Sequence, residues 1–296
     1  MLDVRRLRLL RELRLRGTIA AVAAALNYAP SAVSQQLSLL EREVGVRLTE
    51  KRGRRLQLTP QAELLADHAE AVLERLELAE RELAGSLGRP LGTVRVAVFQ
   101  SAALALVPRM LQILAGLAPD VRIEMVQREP ETALYDTRVG DFDLVVAEQY
   151  PGHAAPWHPG LDREILMTDP LRLAVQRDSE ATCLSDMDGS AWVLEPLGAA
   201  SRHWVVQRCR LQGFEPDVRF ATADLQAQMR LIEAGHAVGM VNGLAAMGAG
   251  PALRLIALPD NPEREIFTST RKASQASPAI AAVREALRTA VPAEFR

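Results

Sequence analysis

Between residues 27 and 48 the chain reads NYAPSAVSQQLSLLEREVGVRL, and its polar residues are spaced to act together. Ser31, Ser34, Gln35, Ser38 and Arg42 recur every three or four positions, so a helix gathers them on one face. Val33, Leu37, Leu40 and Val44 form the opposite, buried stripe. Short hydroxyls and an amide approach a surface closely and can both donate and accept, which suits the edges of bases in a nucleic-acid groove. Pro30 fits the first helical turn, where a missing N–H costs nothing, and a helix N-terminus is open to a phosphate. A solvated face on a small helical subdomain could carry the same residues, so this helix alone leaves both readings standing.

The next segment separates them. EKRGRRLQLT, residues 50–59, reads as strand, turn, strand, with Lys51, Arg52, Arg54 and Arg55 around Gly53 at the tip. A cationic tip beside such a helix grips phosphates flanking a groove, each contact adding a salt-dependent increment of affinity. Charge is distributed to match. Residues 1–60 hold twelve Arg or Lys against five Asp or Glu, whereas the whole chain of 296 residues has a net charge of −2. A basic head on an acidic body is the asymmetry expected when one segment meets a polyanion.

Positioning that helix takes two others. Val4, Leu7, Leu10 and Leu13 predict a first helix ending near Gly17. Thr18 caps a second through Leu26, with Ile19, Val22, Ala23 and Leu26 on its buried side. Helix, short break, then the polar-faced helix is a helix-turn-helix arrangement. Behind the hairpin, Leu65, Ala69, Val72, Leu76, Ala79 and Leu83 are spaced 4-3-4-3-4, a heptad seam roughly 28 Å long at helical rise. Such a seam packs on the chain's own body or on a second copy. Residues 85–92, GSLGRPLG, read as a hinge.

Beyond the hinge, strands alternate with helices, which predicts a parallel sheet with crossovers. TVRVAVF (93–99), VRIEMVQ (121–127) and DLVVAE (143–148) read as strands, followed after a Pro-, His- and Gly-rich stretch by LRLAV (171–175), residues 192–194, VRFA (218–221), AVGMV (237–241) and EIFTST (265–270). Ligands of open parallel sheets bind beyond the carboxyl ends of strands, where helix N-termini point. That rule selects Gln100, Ser101, Glu148, Ser201, Arg202, Thr222, Asp224 and Asn242. Helix N-termini and Arg202 favour an anion, whereas Glu148 or Asp224 could hold an ammonium, so an amino acid or a small carboxylate is the expected class. The alternative is that Glu148 and Arg202 are rim residues paired with water.

TIAAVAAALNYAPSAVSQQLSLLEREVGVRL followed by RGRRLQLTP resembles the N-terminal winged helix-turn-helix of LysR-type transcriptional regulators. Ala24, Ala25, Ala32, Val33, Ser34, Leu37, Leu40, Glu41, Gly45, Leu48, Arg52, Arg55, Leu58 and Thr59 stand where that family's pattern asks. GDFDLVVA (140–147) and IEAGHAVGMV (232–241) are similar to structural motifs of the family's effector domain, so Asp141 and Asp143 are not read as catalytic acids. The resemblance implies an α/β chain: an all-α winged helix-turn-helix over 1–60, a linker and dimerisation helix over 61–86, a hinge over 87–92 and a two-lobed α/β effector-binding domain over 93–296. Lobe 1 would comprise 93–161 and 268–296, and lobe 2 residues 162–267. Carried over by position, Ala29, Pro30, Ser31, Ser34 and Gln35 lie nearest bases, and Ser38, Arg52, Arg54 and Arg55 nearer phosphates. It further implies operator double-stranded DNA as partner, a linker seam paired in a homodimer that doubles into a homotetramer, indirect action on RNA polymerase and a small effector between the lobes. Three departures stand out. Ala29 replaces the usual Ser or Thr cap, Thr49 replaces a bulky residue beneath the wing, and Gln61-Ala62 replaces a common Ala-Gly.

The competing classes are an enzyme and an uptake receptor. No G-x-S-x-G elbow, H-E-x-x-H, P-loop or dinucleotide glycine pattern occurs, and the five histidines lack metal-ligand spacing, so no catalytic residue, metal or cofactor is expected. Arginine alternates with leucine in MLDVRRLRLLRELRLRG, unlike a signal peptide, and no apolar run reaches the ~18 residues of a membrane helix. With two unmotivated cysteines, Cys183 and Cys209, these features predict a cytoplasmic protein without membrane contact.

Overall fold

The computed structural model describes residues 2–52, 55–85 and 89–295. Gly53 and Arg54 of the basic tip and residues 86–88 of the hinge lie outside the described residues, as do the side chains of Lys51, Arg52 and Arg55. The chain divides into two compact units between residues 87 and 88.

The first unit contains α1 (Val4–Arg16), α2 (Ile19–Leu26), α3 (Pro30–Val44), β1 (Thr49–Arg52), β2 (Arg55–Leu58) and α4 (Pro60–Gly85). Local chemistry sets its boundaries. Asp3 caps α1 by accepting from the Arg5 N–H at 2.7 Å, and the Thr18 hydroxyl caps α2 by accepting from the Ala21 N–H at 3.1 Å. Gly17 and Gly45, at φ +75° and +72°, close α1 and α3 in the left-handed conformation that glycine adopts without strain. Leu7, Leu10, Leu13, Val22, Ala23, Val33, Leu37, Leu40 and Leu48 form one core. Val4, expected there, is the first residue of α1 and stays exposed.

α4 is divided along its length. Ala62, Ala66 and Ala69 are fully buried in the core that α1 shares, where small side chains allow close approach, and Arg14 of α1 pairs with Asp67 and Glu70. The seam read from the sequence therefore splits. Ala69 is covered by its own unit and Leu65 is half-buried, whereas Val72, Leu76, Ala79 and Leu83 are exposed.

The second unit begins with β3 (Gly92–Val98), α5 (Gln100–Ala105), α6 (Val107–Leu117), β4 (Val121–Gln127), α7 (Pro130–Val139) and β5 (Leu144–Gln149). Next come β6 (Glu164–Gln176), β7 (Ala191–Leu194), α8 (Ala200–Leu211), β8 (Asp217–Ala221), α9 (Leu225–Glu233), β9 (Gly239–Asn242) and α10 (Gly243–Ala246). β10 (Leu253–Ala257), β11 (Glu263–Ser269) and α11 (Pro278–Ala290) close the chain. The strand order of the large sheet is β10-β6-β11-β5-β3-β4, with β9 also on β6. β3 lies parallel to both β4 and β5, and β7 pairs with β8 in a separate parallel ribbon.

β6 and β11 tie the two lobes together. β6 pairs with β11 along residues 164–170 and with β9 and β10 along 171–176. The sequence places this strand at 171–175 alone, whereas in the structure it begins at Glu164 and runs through Asp169 and Pro170, with Asp169 buried and bound by an arginine from β11. One core, with Val96, Leu106, Met110, Leu144, Ile266 and Val283, fills the first lobe. Another, around Leu173, Trp192, Trp204 and Cys209, fills the second. No described helix is long and apolar enough to cross a membrane.

Candidate functional site

α3 presents the polar face expected of it. Ser31, Ser34, Gln35 and Ser38 are all exposed, and their side chains make no hydrogen bond to any described residue. Val33, Leu37 and Leu40 on the other side are buried, so the helix is held rigidly while this face stays free. Ala29 contributes no side-chain cap. The hairpin is fastened to the same helix by one carboxylate: Glu41 Oε1 accepts from the N–H groups of Leu48 and Thr49 at 2.8 and 3.0 Å and from the Thr49 hydroxyl at 3.3 Å. Thr49 thus replaces bulk with a hydrogen bond. Backbone pairing sets Arg52 opposite Arg55 at the last described rung.

The second unit encloses a cavity of about 380 Å³. Its walls come from the α7 N-terminus (Glu129, Pro130, Glu131, Thr132), from Glu148 at the end of β5, and from the 195–201 segment that leads into α8. Adjoining it, and sharing Glu195 and Ser201, is a pocket of about 30 Å³ lined by Tyr150, Arg202, Trp204, Gln228 and Asn242 among others. Both lie where the strand-end rule places a ligand, beyond β4, β5 and β7.

Behind the cavity sits Arg264 on β11, 1% exposed. Its guanidinium donates to Asp169 Oδ2 at 2.6 and 2.9 Å, to Ser101 Oγ at 2.8 Å and to the Glu148 carboxylate. Asp169 also accepts from the Leu244 N–H at 3.2 Å. Position 243 must be glycine for this approach, since a Cβ there would stand 2.5 Å from Asp169 Oδ1. A buried arginine with two carboxylates satisfies the requirement that buried charge be paired.

The cavity wall itself is less balanced. Burial, opposed by Arg264 and reinforced by Glu129, Asp169 and Glu131, pushes the Glu148 carboxyl up to about 7. Burial together with Glu129 and Glu148 pushes Glu195 up to about 8, against the pull of Arg264. Glu129 is raised by burial and by Glu131. Glu195 accepts from the Ser201 hydroxyl and has no ion-pair partner among the described residues, and neither do Glu129 and Glu131.

The residues chosen from sequence are distributed unevenly over this geometry. Glu148 and Ser201 line the larger cavity, and Ser201, Arg202 and Asn242 the smaller. Arg202 donates to the Glu195 carbonyl at 3.1 Å, and Asn242 caps α10. Ser101 is 1% exposed and accepts from Arg264, so it stands behind the cavity and outside both walls. Gln100 reaches across to α9, donating to Asp224 Oδ1 and accepting from the Leu225 N–H. Asp224 caps α9, and the Thr222 hydroxyl accepts from the Asp224 N–H, so these three form a clasp beside the wall, which Ala223 between them lines. Asp143 braces Arg95, a structural bond. Sequence reasoning missed Glu129, Glu131, Glu195 and Arg264. The strand-end rule would have found the first three had it been applied after β4 and β7. Arg264 carries no local signal, being one polar residue in an exposed-looking stretch, NPEREI.

Residues 4–63 match the bacterial regulatory helix-turn-helix protein family of lysR type, and residues 87–292 match the LysR substrate binding domain. Among curated relatives, the transcriptional dual regulator GltC of Bacillus subtilis is 26% identical over 245 residues, covering 81% of this chain and 80% of that protein. Among solved structures, a full-length OxyR from Pseudomonas aeruginosa superposes with a TM-score of 0.71 at 18% identity, covering 97% of this chain and 95% of that one. Full-length CbnR complexed with its target DNA gives a TM-score of 0.56 at 21% identity, covering 98% and 100%. With a polar helix face and basic hairpin on one unit and a walled cavity on the other, the chain belongs to the LysR family and is a DNA-binding transcriptional regulator, not an enzyme.

Proposed function

We propose that α3 enters the major groove of an operator, with Ala29, Pro30, Ser31, Ser34 and Gln35 nearest the bases and Ser38, Arg52, Arg54 and Arg55 at flanking phosphates. The observation carrying this reading is the row of four polar side chains on α3 that are exposed and make no hydrogen bond among the described residues. Two copies pair through the exposed half of α4, at Val72, Leu76, Ala79 and Leu83, while Ala69 and Leu65 serve their own unit. A homodimer so built reads two half-sites, and two dimers form a homotetramer. The relative solved with its target DNA supports the DNA reading. The protein acts in the cytoplasm, its residues 61–86 and 87–92 serving as linker and hinge between DNA-binding and effector-binding domains.

A small effector occupies the cavity walled by Glu148, Glu195 and Ser201, closes the lobes and repositions the DNA-binding heads, altering DNA bending and so RNA polymerase access. Gel-shift titration on operator DNA tests the contacts. Gln35→Ala is expected to weaken binding by ~1–3 kcal/mol, the worth of a bidentate base contact, with an unchanged salt slope. Arg55→Ala should weaken all sequences alike and lower the slope by about one phosphate equivalent. Unaltered affinity in both variants removes the assignment.

A further inference from the structure

The side chains lining the larger cavity specify its occupant more narrowly than "small effector". We infer that it takes an organic cation, with an ammonium or guanidinium head held among Glu129, Glu131, Glu148 and Glu195. This inference rests on the cavity being the effector site of a LysR substrate binding domain.

Four carboxylates reach the wall from three separated segments, and no Lys or Arg lines it among the described residues. Arg264, behind the wall, is already bound by Asp169 and Ser101 and of the four wall carboxylates hydrogen-bonds only to Glu148, while Arg202, lining the adjoining pocket, donates to the Glu195 backbone carbonyl and leaves the carboxylate to Ser201. Glu129, Glu131 and Glu195 lack an ion-pair partner among the described residues, and Glu195 is held toward Ser201. With Glu148 and Glu195 ionised, an anion entering this space meets uncompensated negative charge in a partly desolvated setting, where repulsion is several-fold stronger than in water. A cation meets the opposite field. The carboxylates are also too dispersed for a bare metal ion: among the described residues no three His, Cys, Asp or Glu side chains converge as a metal-ligand set. At about 380 Å³ the cavity is of metabolite size, and Leu197 on its rim is 87% exposed, an apolar surface for the stem of such a ligand. The cationic class narrows the expected amino acid or small carboxylate to a ligand that carries a positive head.

Cation binding should favour ionised Glu148 and Glu195 and release protons. The charged and titratable groups facing this pair are Glu129 and Glu131 at the start of α7, Tyr150 after β5, Asp169 from β6, Arg202 from α8 and Arg264 from β11. Affinity for the cation is then higher at pH 8.5 than at pH 6.5.

Isothermal titration of the full chain with L-arginine, agmatine and spermidine, against succinate and benzoate, tests this. At least one cation should bind and neither anion should. Glu131→Gln combined with Glu195→Gln should weaken the bound cation at least tenfold and flatten its pH dependence, without lowering the melting temperature. Ala223→Trp, at an exposed wall position, should block it. If an anion binds and Ala223→Trp abolishes that binding, the cavity remains the effector site and the cationic class is overturned. If no probe binds, or binding survives Ala223→Trp, the effector site itself is overturned and the inference with it.

Discussion

On α3, Ser31, Ser34, Gln35 and Ser38 extend into solvent from a single helix, uncharged and without a side-chain partner among the described residues. In the cavity, Glu129, Glu131, Glu148 and Glu195 converge from three segments, and burial first, then neighbouring carboxylates, raise the proton affinity of Glu129, Glu148 and Glu195. One surface awaits a partner that supplies both hydrogen bonds and charge, and its own contribution is shape and placement. The other stores unfavourable electrostatics that a ligand of opposite sign relieves. A face of the first kind is nearly neutral to folding, whereas a cavity of the second kind lowers stability and needs a brace. Arg264 is that brace, and the fully matched Arg284, bidentate to Asp162 at 2.7 Å on both branches, shows what a purely structural pair looks like in the same unit.

The comparison breaks most readily at the brace. Arg264→Met leaves Asp169, fully buried, without its cation, and should lower stability by about 3–5 kcal/mol in urea unfolding. Arg288→Ala, at a half-exposed pair with Glu285, should change it by less than ~1 kcal/mol. Equal losses would dissolve the distinction between brace and surface pair.

A smaller effect comes from pH. Glu148 and Glu195 bind protons more tightly when folded, with values of about 7 and 8 against an ordinary 4.5. Their stabilising contribution is therefore complete below pH 4.5 and lost as pH rises through 7 to 8, because the unfolded chain then holds fewer protons than the native one. Glu195→Gln should flatten that decline and stabilise the protein at pH 9, on the order of 1–3 kcal/mol. Urea midpoints between pH 5 and 9 measure it, and parallel profiles for the two proteins would show that Glu195 is not under strain.

The smallest effects sharpen the contrast from the other side. Thr18→Ala removes the α2 cap and should cost ~1 kcal/mol, whereas Ala29→Ser adds one to α3 and should stabilise by up to ~1 kcal/mol in thermal unfolding. A gain at Ala29 accompanied by unchanged operator binding would show that the helix start is free for redesign. A gain with weakened binding would place a phosphate there.

Legibility followed the range of the interactions. The first unit was readable because its signals are local: Thr18, Gly17, Gly45 and the 4-3-4 stripe of α3 each act within a turn or two of chain. The seam of α4 was readable as a stripe but not in its use. Whether Ala69 faces a second copy or α1 depends on which surface packs first, and an alanine fits either. In the second unit the strands stood out by their apolar runs, yet β6 was cut short at Asp169-Pro170 and β10 went unread. β10 pairs with β6 some eighty residues away, and the first half of β6 pairs with β11 about a hundred residues away.

By itself, then, the order of residues determined a helix whose face is small, polar and unobstructed beside a cationic hairpin, since helical periodicity and turn chemistry need only near neighbours. Only the tertiary structure decided which carboxylates share a wall, that Arg264 holds two of their neighbourhood's acids from behind, and that Ser101 faces this arginine instead of a ligand. Electrostatic energy depends on distance in space and on burial, and neither quantity exists until strands far apart in sequence are brought side by side.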